Sequence, residues 1–389
     1  MVTSISAAEL RDRIDGSEFV LFDTRAPADF DSWHIAEAVN VEYSCADDEL
    51  VGEFDPDAYG EDEELVVTCA TGNSAKAFAE YLEDAGFENV SWVDGGMEAW
   101  SMTYDVVPIA TDREDLEILQ LQRRAKGCLG YLIGSKRTGE AALVDVTRAT
   151  DAFEGAAADY GYEVVRVFDT HIHADHISAG RSLAEKHGVP YHLGQLAETR
   201  DPQFEFDGLE QNEVVMVGEI PVKAVPTPGH TTGMTSYLVD GEALLTGDTL
   251  FVESIGRTEL QFAGEDAKAG ARVQFETLHH KIMTMPDHVK ILPGHFSVTD
   301  DGEYIDVTPG LAMLSTVGEL RTHNEILQLE EEAFVEHMFE NLPSKPPNYE
   351  TVIATNVGDY VPEDEAEMNE LELGPNRCAA TADSAVADD

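Results

Sequence analysis

Three histidines and one aspartate fall within six residues of the chain, at His171, His173, Asp175 and His176. Imidazole and carboxylate groups together form the usual ligand set for zinc or non-haem iron. Four such groups on one loop would repel one another or lack hydrogen-bond partners if they were buried without a cation. The cluster therefore predicts a metal site, in preference to the alternative of a polar surface loop.

The ligand cluster lies between a predicted strand and a predicted helix. The stretch Tyr162–Phe168 is apolar and β-branched like a buried strand, and Ile177–His187 is expected to form a helix that ends at Gly188. Three further predicted strands each lead to one more metal-binding side chain, and loops at strand ends are common positions for such groups. These side chains are His230 after the strand 220–225, Asp248 at the end of a strand from Ala243, and His295 after a strand from Val289.

A second candidate site is Cys69, which follows the predicted strand Leu65–Thr68. Gly72 lets the loop curl towards the predicted helix Ala75–Ala85. Backbone N–H groups and the helix dipole at such a position lower the pKa of a thiol, which is what a nucleophilic thiolate requires. The alternative is a buried structural cysteine. Alternating strands and helices in this part of the chain predict a parallel sheet covered by helices on both faces.

Four motifs occur in residues 1–108, and the chemistry of Cys69 belongs to one of them. They are Phe22-Asp-Thr-Arg25, Trp33-His-Ile35, Cys69-x-x-Gly72-x-Ser74 and Gly95-Gly-Met-Glu-Ala-Trp100. Together they resemble a single-domain rhodanese, which implies an α/β domain that carries a persulfide on Cys69. Ser74 stands where this loop often has an arginine, and Lys76 is nearby. The missing guanidinium predicts weak binding of a dianionic sulfur donor such as thiosulfate.

The ordered series formed by the His171–His176 cluster, His230, Asp248 and His295 is far more specific than any single histidine. It resembles the metallo-β-lactamase superfamily over residues 113–300. The resemblance implies a four-layer αβ/βα sandwich with the metal between two sheet edges. Fold alone does not choose the reaction.

Two features after Asp248 are similar to the persulfide dioxygenase family. One is the segment Gly256-Arg-Thr-Glu259, and the other is a tail that comprises 318–324, 331–335, 342–347 and Asn356. This resemblance implies Fe²⁺ bound by His171, His230 and Asp248, with open positions for substrate and O2. It further implies that the remaining cluster residues and one later histidine orient these ligands, namely His173, Asp175, His176 and His295.

The reaction implied by this resemblance oxidises a low-molecular-weight thiol persulfide with O2 to sulfite and a thiol. Arg257 is a candidate contact for the persulfide anion, with a loop-holding salt bridge as an equal alternative. The family commonly has Asp-Tyr after the last histidine, whereas this chain has Phe296-Ser297. A tyrosine hydroxyl that could steady the substrate is therefore absent at this position.

Two other functions remain open from the sequence. The first is a dinuclear zinc hydrolase like the thioesterase glyoxalase II, with one or two Zn²⁺ ions and a bound hydroxide as nucleophile. Its two ligand sets share Asp248 and are His171, His173, His230 and Asp248, and Asp175, His176, Asp248 and His295. Against it, residues 296–389 contain as bases only Arg321, Lys345 and Arg377, and a glutathione site needs basic residues. The second is a non-catalytic persulfide carrier that uses Cys69.

Other parts of the chain are predicted to be structural. Residues 301–370 should form a helical extension of the metal domain, with one or two helices over 319–341, and the acidic tail 371–389 should be disordered. Cys128 is predicted to be a core residue, Cys45 a structural or incidental one, and Cys378 a loose surface thiol. The remaining histidines are predicted to be ordinary helix or surface residues: His187, His192, His279, His280, His288, His323 and His337.

The charge of the chain limits its partners. There are 77 acidic and 24 basic residues, which gives a formal net charge of −53 with acids in every region. Such a surface repels nucleic acid and anionic membranes, and it predicts a halophilic cytoplasm in which salt screens the self-repulsion. The four cysteines form no disulfide pattern, and neither a membrane span nor a signal peptide is expected. Whether the protein forms a homodimer is left open.

Overall fold

The chain folds into two compact units. In this computed structural model the structure describes residues 2–47, 49–261, 265–305, 307–340, 345–372, 374 and 377–378. The first unit comprises 1–104, 123–126 and 298–304, and the second comprises 105–122, 127–297 and 305–389.

The first unit is built on a parallel sheet. Its elements are β1 (Thr3–Ile5), α1 (Ala7–Ile14), β2 (Val20–Asp23), α2 (Pro27–Ser32), β3 (Val39–Asn40), β4 (Tyr43–Ser44), β5 (Glu49–Leu50), β6 (Glu64–Thr68), α3 (Asn73–Asp84), β7 (Asn89–Val93) and α4 (Gly96–Ser101). Among the described residues the strand order is β1-β7-β6-β2-β3, with every neighbouring pair parallel. The predicted alternation of strands and helices is confirmed.

Successive residues of the central strands point to opposite faces of this sheet, and each face has its own core. Phe22 and Val67 pack with α3 on one face. Leu21 and Val66 pack with Trp100 of α4 on the other. A sheet covered on both faces explains why its strands are almost continuously apolar.

The second unit contains two mixed sheets. The strands of the first sheet and the helices between them are β8 (Tyr104–Ile109), β9 (Leu116–Arg123), β10 (Cys128–Ser135), β11 (Glu140–Val144), α5 (Thr150–Asp159), β12 (Glu163–Phe168), α6 (Gly180–His187), β13 (Tyr191–Gly194) and β14 (Asp207–Leu209). The later elements are β15 (Val214–Val217), β16 (Ile220–Pro226), β17 (Thr235–Val239), β18 (Ala243–Gly247), α7 (Glu265–His280), β19 (Lys290–Pro293), β20 (Ser315–Thr316), α8 (Val317–His323), α9 (Glu331–Glu340), α10 (Tyr349–Val357) and α11 (Glu365–Leu371). Within the described ranges, β8 to β14 form a seven-stranded sheet and β15 to β20 a six-stranded sheet, each in sequential order.

Helices cover the outer faces of both sheets. Helices α5 and α6 pack on the seven-stranded sheet against β12. On the six-stranded sheet, Leu244 and Ile291 lie in one apolar core with residues of α7, α8 and α9. The predicted four-layer αβ/βα arrangement is confirmed, and its strands β12, β16, β18 and β19 end at the predicted metal-binding side chains.

The helix after the ligand cluster begins at Gly180, later than the predicted start at Ile177. The backbone N–H groups of Ile177 and Ser178 donate instead to the side chains of Glu372 and Asn356, at 2.6 and 2.9 Å. Tertiary hydrogen bonds thus replace the first helical turn. The predicted end at Gly188 is confirmed, and this glycine has a φ of 66°.

Two predictions for the second unit, for His192 and Cys378, need correction. His192 is a buried strand residue that stacks on Phe168 with ring centroids 4.7 Å apart, not a helix or surface residue. The prediction of one or two helices over 319–341 is confirmed by α8 and α9, and Asn341 lies outside the described residues. Cys378 is 1% exposed, so the prediction of a surface thiol was wrong. Most of the tail predicted to be disordered, namely 373, 375–376 and 379–389, lies outside the described residues.

Candidate metal centre

Three side chains that are distant in sequence meet at the carboxyl ends of the strands. The ligand atoms of His171, His230 and Asp248 lie within 4.8 Å of one another. His171 Nε2 is 3.8 Å and His230 Nε2 is 3.6 Å from Asp248 Oδ2. Ligands about 2.0–2.2 Å from one tetrahedral ion are separated by roughly 3.4 Å, so the three atoms need to shift little to share a metal.

The hydrogen bonds around this triad leave one lone pair of each side chain for an ion. The Thr170 hydroxyl donates to Asp145 and accepts from His171 Nδ1 at 3.0 Å. His230 Nδ1 donates to the Arg257 carbonyl oxygen at 2.6 Å. Within the described part of the chain, His171 Nε2 and Asp248 Oδ2 are buried without a hydrogen-bond partner. A cation would satisfy these orphaned atoms, so the residues fit a bound metal.

The protonation states also suit metal binding. Burial lowers the pKa of His171 and of His230, which keeps both imidazoles neutral. Burial alone would raise the pKa of Asp248, but the charge of the neighbouring His295 and its hydrogen bond oppose burial, and the value is lowered. Neutral imidazoles and an ionised carboxylate are the forms that bind metals.

Two glycines allow the backbone to approach Asp248 closely. A Cβ atom at Gly294 would lie 2.6 Å from Asp248 Oδ1. A Cβ atom at Gly256 would lie 1.7 Å from the Asp248 carbonyl oxygen. Any larger residue at either position would displace Asp248, so both glycines are required by packing.

His173 does not join the triad. Its Nε2 lies 3.2 Å from Asp145 Oδ1, and it forms a separate buried group with Asp145 and Asp169. Asp145 is fixed in turn, because it has a φ of 52° and accepts the Thr170 N–H at 2.7 Å. The group of ligand atoms therefore lacks His173, which the predicted four-residue zinc set includes.

The remaining predicted residues form a hydrogen-bonded network around Asp175. Asp175 Oδ2 lies 2.9 Å from His295 Nε2, 3.2 Å from His176 Nδ1 and 3.3 Å from Cys128 Sγ. Cys128, Asp175, His176 and His295 also form a group that could hold a metal ion. Cys128 is buried as predicted for a core residue, and strand β10, which begins beside His295, also brings its thiol to this network.

Comparisons with known proteins agree with this geometry. Residues 123–295 match the metallo-β-lactamase superfamily, and residues 6–103 match the rhodanese-like domain. The probable metallo-hydrolase YqgX of Bacillus subtilis is 30% identical over 163 residues, which cover 36% of this chain and 72% of that protein. The chain belongs to the metallo-β-lactamase superfamily.

Two further comparisons concern ETHE1 proteins. The mitochondrial persulfide dioxygenase ETHE1 of Bos taurus is 28% identical over 230 residues, 58% of this chain and 82% of that protein. The crystal structure of ETHE1 from Myxococcus xanthus superposes with a TM-score of 0.53 at 26% identity, covering 62% of this chain and 98% of the other. The chain is thus homologous to persulfide dioxygenases, and it carries a rhodanese domain in addition.

The C-terminal extension of the metallo-β-lactamase domain clamps the ligand loop. Asn356 Nδ2 donates to the carbonyl oxygens of His173 and His176 at 3.0 and 2.8 Å. Asn356 Oδ1 accepts from Ser178 N, and the buried Glu372 accepts from Ile177 N. Asn356 belongs to the motif of the resemblance, whereas nothing distinguishes Glu372 from the many other acids of the chain.

Arg257 forms the salt bridge that the second of its two predicted roles requires. It is 1% exposed and forms an ion pair with Glu259. Its Nη1 donates to the Arg377 carbonyl oxygen at 2.8 Å, and its backbone N–H donates to the Cys378 carbonyl oxygen at 2.9 Å. The guanidinium therefore holds protein segments together at the metal centre.

The rhodanese domain places Cys69 where the sequence predicts it, between β6 and α3. Its thiol is buried, and Sγ accepts the Gly72 N–H at 3.0 Å. Gly72 has a φ of 93° and forms the N-cap of α3. Ser74 bonds with Thr24 at 2.9 Å, and Lys76 is exposed. Among the described residues, the hydrogen bond that Cys69 Sγ accepts in this loop therefore comes from a backbone N–H group.

The structure has no candidate membrane span: none of the helices in its described ranges is long and apolar enough.

Proposed function

We propose that the metallo-β-lactamase domain is a persulfide dioxygenase with Fe²⁺ held by His171, His230 and Asp248. The balanced reaction is RSSH + O2 + H2O → RSH + SO3²⁻ + 2H⁺, with a small thiol persulfide as RSSH. The observation that supports the proposal most is the three-membered triad, to which His173 does not belong because its Nε2 is bound to Asp145. Two histidines and one carboxylate leave open positions for substrate and O2, as in non-haem iron oxygenases.

The surrounding residues orient the ligands of this triad. His295 bonds to Asp248 Oδ1 at 2.7 Å, so that Asp248 offers only Oδ2 to the ion. Asp175 accepts three hydrogen bonds at one oxygen, which orients His295. Iron, when bound, supplies the redox chemistry with O2. The protein positions the ligands, keeps them in the required protonation states and buries the site.

The dioxygenase proposal predicts O2 uptake together with one iron per chain. Fe²⁺-loaded protein in about 1 M KCl, which screens the acidic surface, is mixed with glutathione persulfide in an oxygen electrode. We expect O2 uptake with sulfite as product, and iron near one per chain by metal analysis. His171→Ala should lose both uptake and iron, whereas the exposed His280→Ala should retain both. Full activity of His171→Ala would contradict the ligand assignment.

A dinuclear zinc hydrolase is the second candidate, because the group Cys128, Asp175, His176 and His295 has the composition of a second metal site. Similarity to the probable metallo-hydrolase of B. subtilis agrees with it. It predicts two zinc ions per chain, hydrolysis of S-lactoylglutathione and no O2 uptake. That result would replace the dioxygenase proposal.

We propose further that the rhodanese domain transfers sulfane sulfur through Cys69. The Gly72 N–H and the start of α3 stabilise the thiolate that accepts the sulfur. Transfer of sulfur to cyanide should be abolished in Cys69→Ser and retained in the exposed Cys45→Ser. Unchanged transfer in Cys69→Ser would refute this role, and sulfur bound at Cys69 without turnover would instead indicate a carrier.

A further inference from the structure

Cys378 lies at the metal centre, although it is 130 residues beyond Asp248 in sequence. Its Sγ and ligand atoms of Asp248 and His295 all lie within 4.8 Å of one another. One oxygen of this carboxylate, Asp248 Oδ2, is buried and has no hydrogen-bond partner among the described residues. A thiol therefore lies beside a carboxylate of the triad that has one oxygen left for an ion.

The position of Cys378 is built by Arg257. The backbone N–H of Arg257 donates to the Cys378 carbonyl oxygen, its Nη1 donates to the Arg377 carbonyl oxygen, and its own carbonyl oxygen accepts from His230. One buried residue thus fixes both a member of the triad and the segment that delivers the thiol. Glu259 neutralises its charge. This arrangement holds Cys378 beside the triad.

A persulfide carried by a free thiol would need a binding site that holds its carrier at the triad. The guanidinium of Arg257, which is the basic group closest in chain position to Asp248, is engaged with Glu259 and with the Arg377 carbonyl oxygen. A sulfur atom attached to Cys378 would need no such binding site, because the chain itself positions it.

We propose that Cys378 is the acceptor of the sulfane sulfur, so that the substrate oxidised at the triad is a protein persulfide. This inference rests on the proposed function. In the loading step, RSSH + Cys378–SH → RSH + Cys378–SSH, the donor S–S bond breaks, a new one forms at Sγ, and the thiol proton passes to the leaving thiolate. A persulfide bond of about 2.05 Å extends the reach of Cys378 towards the triad.

The second step restores the thiol: Cys378–SSH + O2 + H2O → Cys378–SH + SO3²⁻ + 2H⁺. The S–S bond breaks, and the terminal sulfur gives four electrons to O2 and leaves as sulfite. The small thiol persulfide is then a sulfur donor and does not itself occupy the triad. This predicts that the activity depends little on the identity of the donor thiol.

Loading can be measured without turnover. The iron-loaded protein is mixed with glutathione persulfide in the absence of O2, alkylated, digested and analysed by mass spectrometry. We expect one added sulfur on the Cys378 peptide in wild type and in Cys69→Ser, which removes the rhodanese thiol. An unmodified Cys378 peptide in both proteins would overturn the inference.

Turnover provides the second test. Admitting O2 to loaded protein should release one sulfite per modified Cys378 and restore its thiol. Cys378→Ser should lower kcat/KM for O2 uptake at least about tenfold at unchanged iron content, whereas the exposed Cys45→Ser should equal wild type. Wild-type uptake by Cys378→Ser would refute the inference and leave the dioxygenase proposal intact. Absence of uptake by wild-type protein would refute the dioxygenase proposal itself.

If Cys378→Ser loses iron, the O2 uptake is measured with Cys378→Ala instead. The loading measurement on wild type tests the inference without either variant. Sulfur that stays on wild-type Cys378 after O2 is admitted would also overturn the inference. It would show that the Cys378 persulfide forms but is not oxidised at the triad.

Discussion

His295 Nδ1 lies 2.7 Å from Oδ1 of Asp248, so that one carboxylate oxygen is held and the other points to the two histidines of the triad. The same imidazole lies 2.9 Å from Asp175 through Nε2. Burial lowers the pKa of His295, but Asp248 and Asp175 outweigh this and raise it well above its ordinary value. A protonated imidazole can donate to both carboxylates at once.

Removal of this imidazole should weaken metal binding without removing a ligand. In His295→Ala the Asp248 carboxylate can rotate, and we expect an affinity for Fe²⁺ that is about 10–100-fold lower, as for other residues that orient metal ligands. Competition with a chromophoric chelator measures the affinity, with His280→Ala as control. Equal affinities of His295→Ala and wild type would show that Asp248 is oriented by other contacts.

Asn356 should be required for the conformation of the ligand loop. Asn356→Ala leaves the carbonyl oxygens of His173 and His176 and the N–H of Ser178 without this partner, at a cost of about 1–3 kcal/mol for each group that stays buried and unsatisfied. We expect faster amide exchange around 173–178 and weaker Fe²⁺ binding. Thr355→Ala, on the same helix, is the control. Exchange as slow as in wild type would contradict the clamp.

Glu242 should contribute stability that depends on pH. Its carboxylate accepts from Lys290 at 2.7 Å and from the backbone N–H of Asp112 at 2.6 Å. Burial raises its pKa, but Lys290 and the N–H groups of Asp112 and Arg113 outweigh this and lower it. Because the folded pKa lies below the unfolded one, the contribution is complete above about pH 4.3 and is lost as the pH falls through the folded value.

Glu242→Gln should therefore be less stable than wild type near neutral pH, and the difference should shrink as the solution is acidified. Urea unfolding at a series of pH values measures it, with the exposed Glu185→Gln as control. A difference that stays constant with pH would contradict the assignment to this carboxylate.

The net charge of −53 predicts a protein that is stabilised by salt. The Debye length falls from about 10 Å in 0.1 M salt to about 3 Å in 1 M, which removes most of the repulsion between surface carboxylates. We expect the melting temperature to rise over this range of KCl, with sucrose as a control for a neutral solute. A melting temperature independent of KCl would refute the prediction of a halophilic cytoplasm.

Several features of the fold follow from local patterns in the sequence. Apolar strands such as Glu64–Thr68 and Glu163–Phe168, and the helix stop at Gly188, are encoded by neighbouring residues. The candidate ligands could also be predicted, because metal ligands must be of particular types and often lie at strand ends, whereas the choice of three of them as a triad was implied only by the family resemblance. What the sequence determined by itself was therefore the set of elements and the candidate ligands.

Tertiary structure decided which candidates share a site. Only folding shows that His173 turns to Asp145, that Arg257 pairs with Glu259, and that Cys128 and Cys378 lie beside His295 and Asp248. The position of these two thiols could not be predicted, because the neighbours of a side chain depend on how distant elements pack. A lone cysteine has no periodic sequence pattern that reveals its neighbours. The start of α6 moved for the same reason, since Asn356 and Glu372 bind the loop from a distant part of the chain.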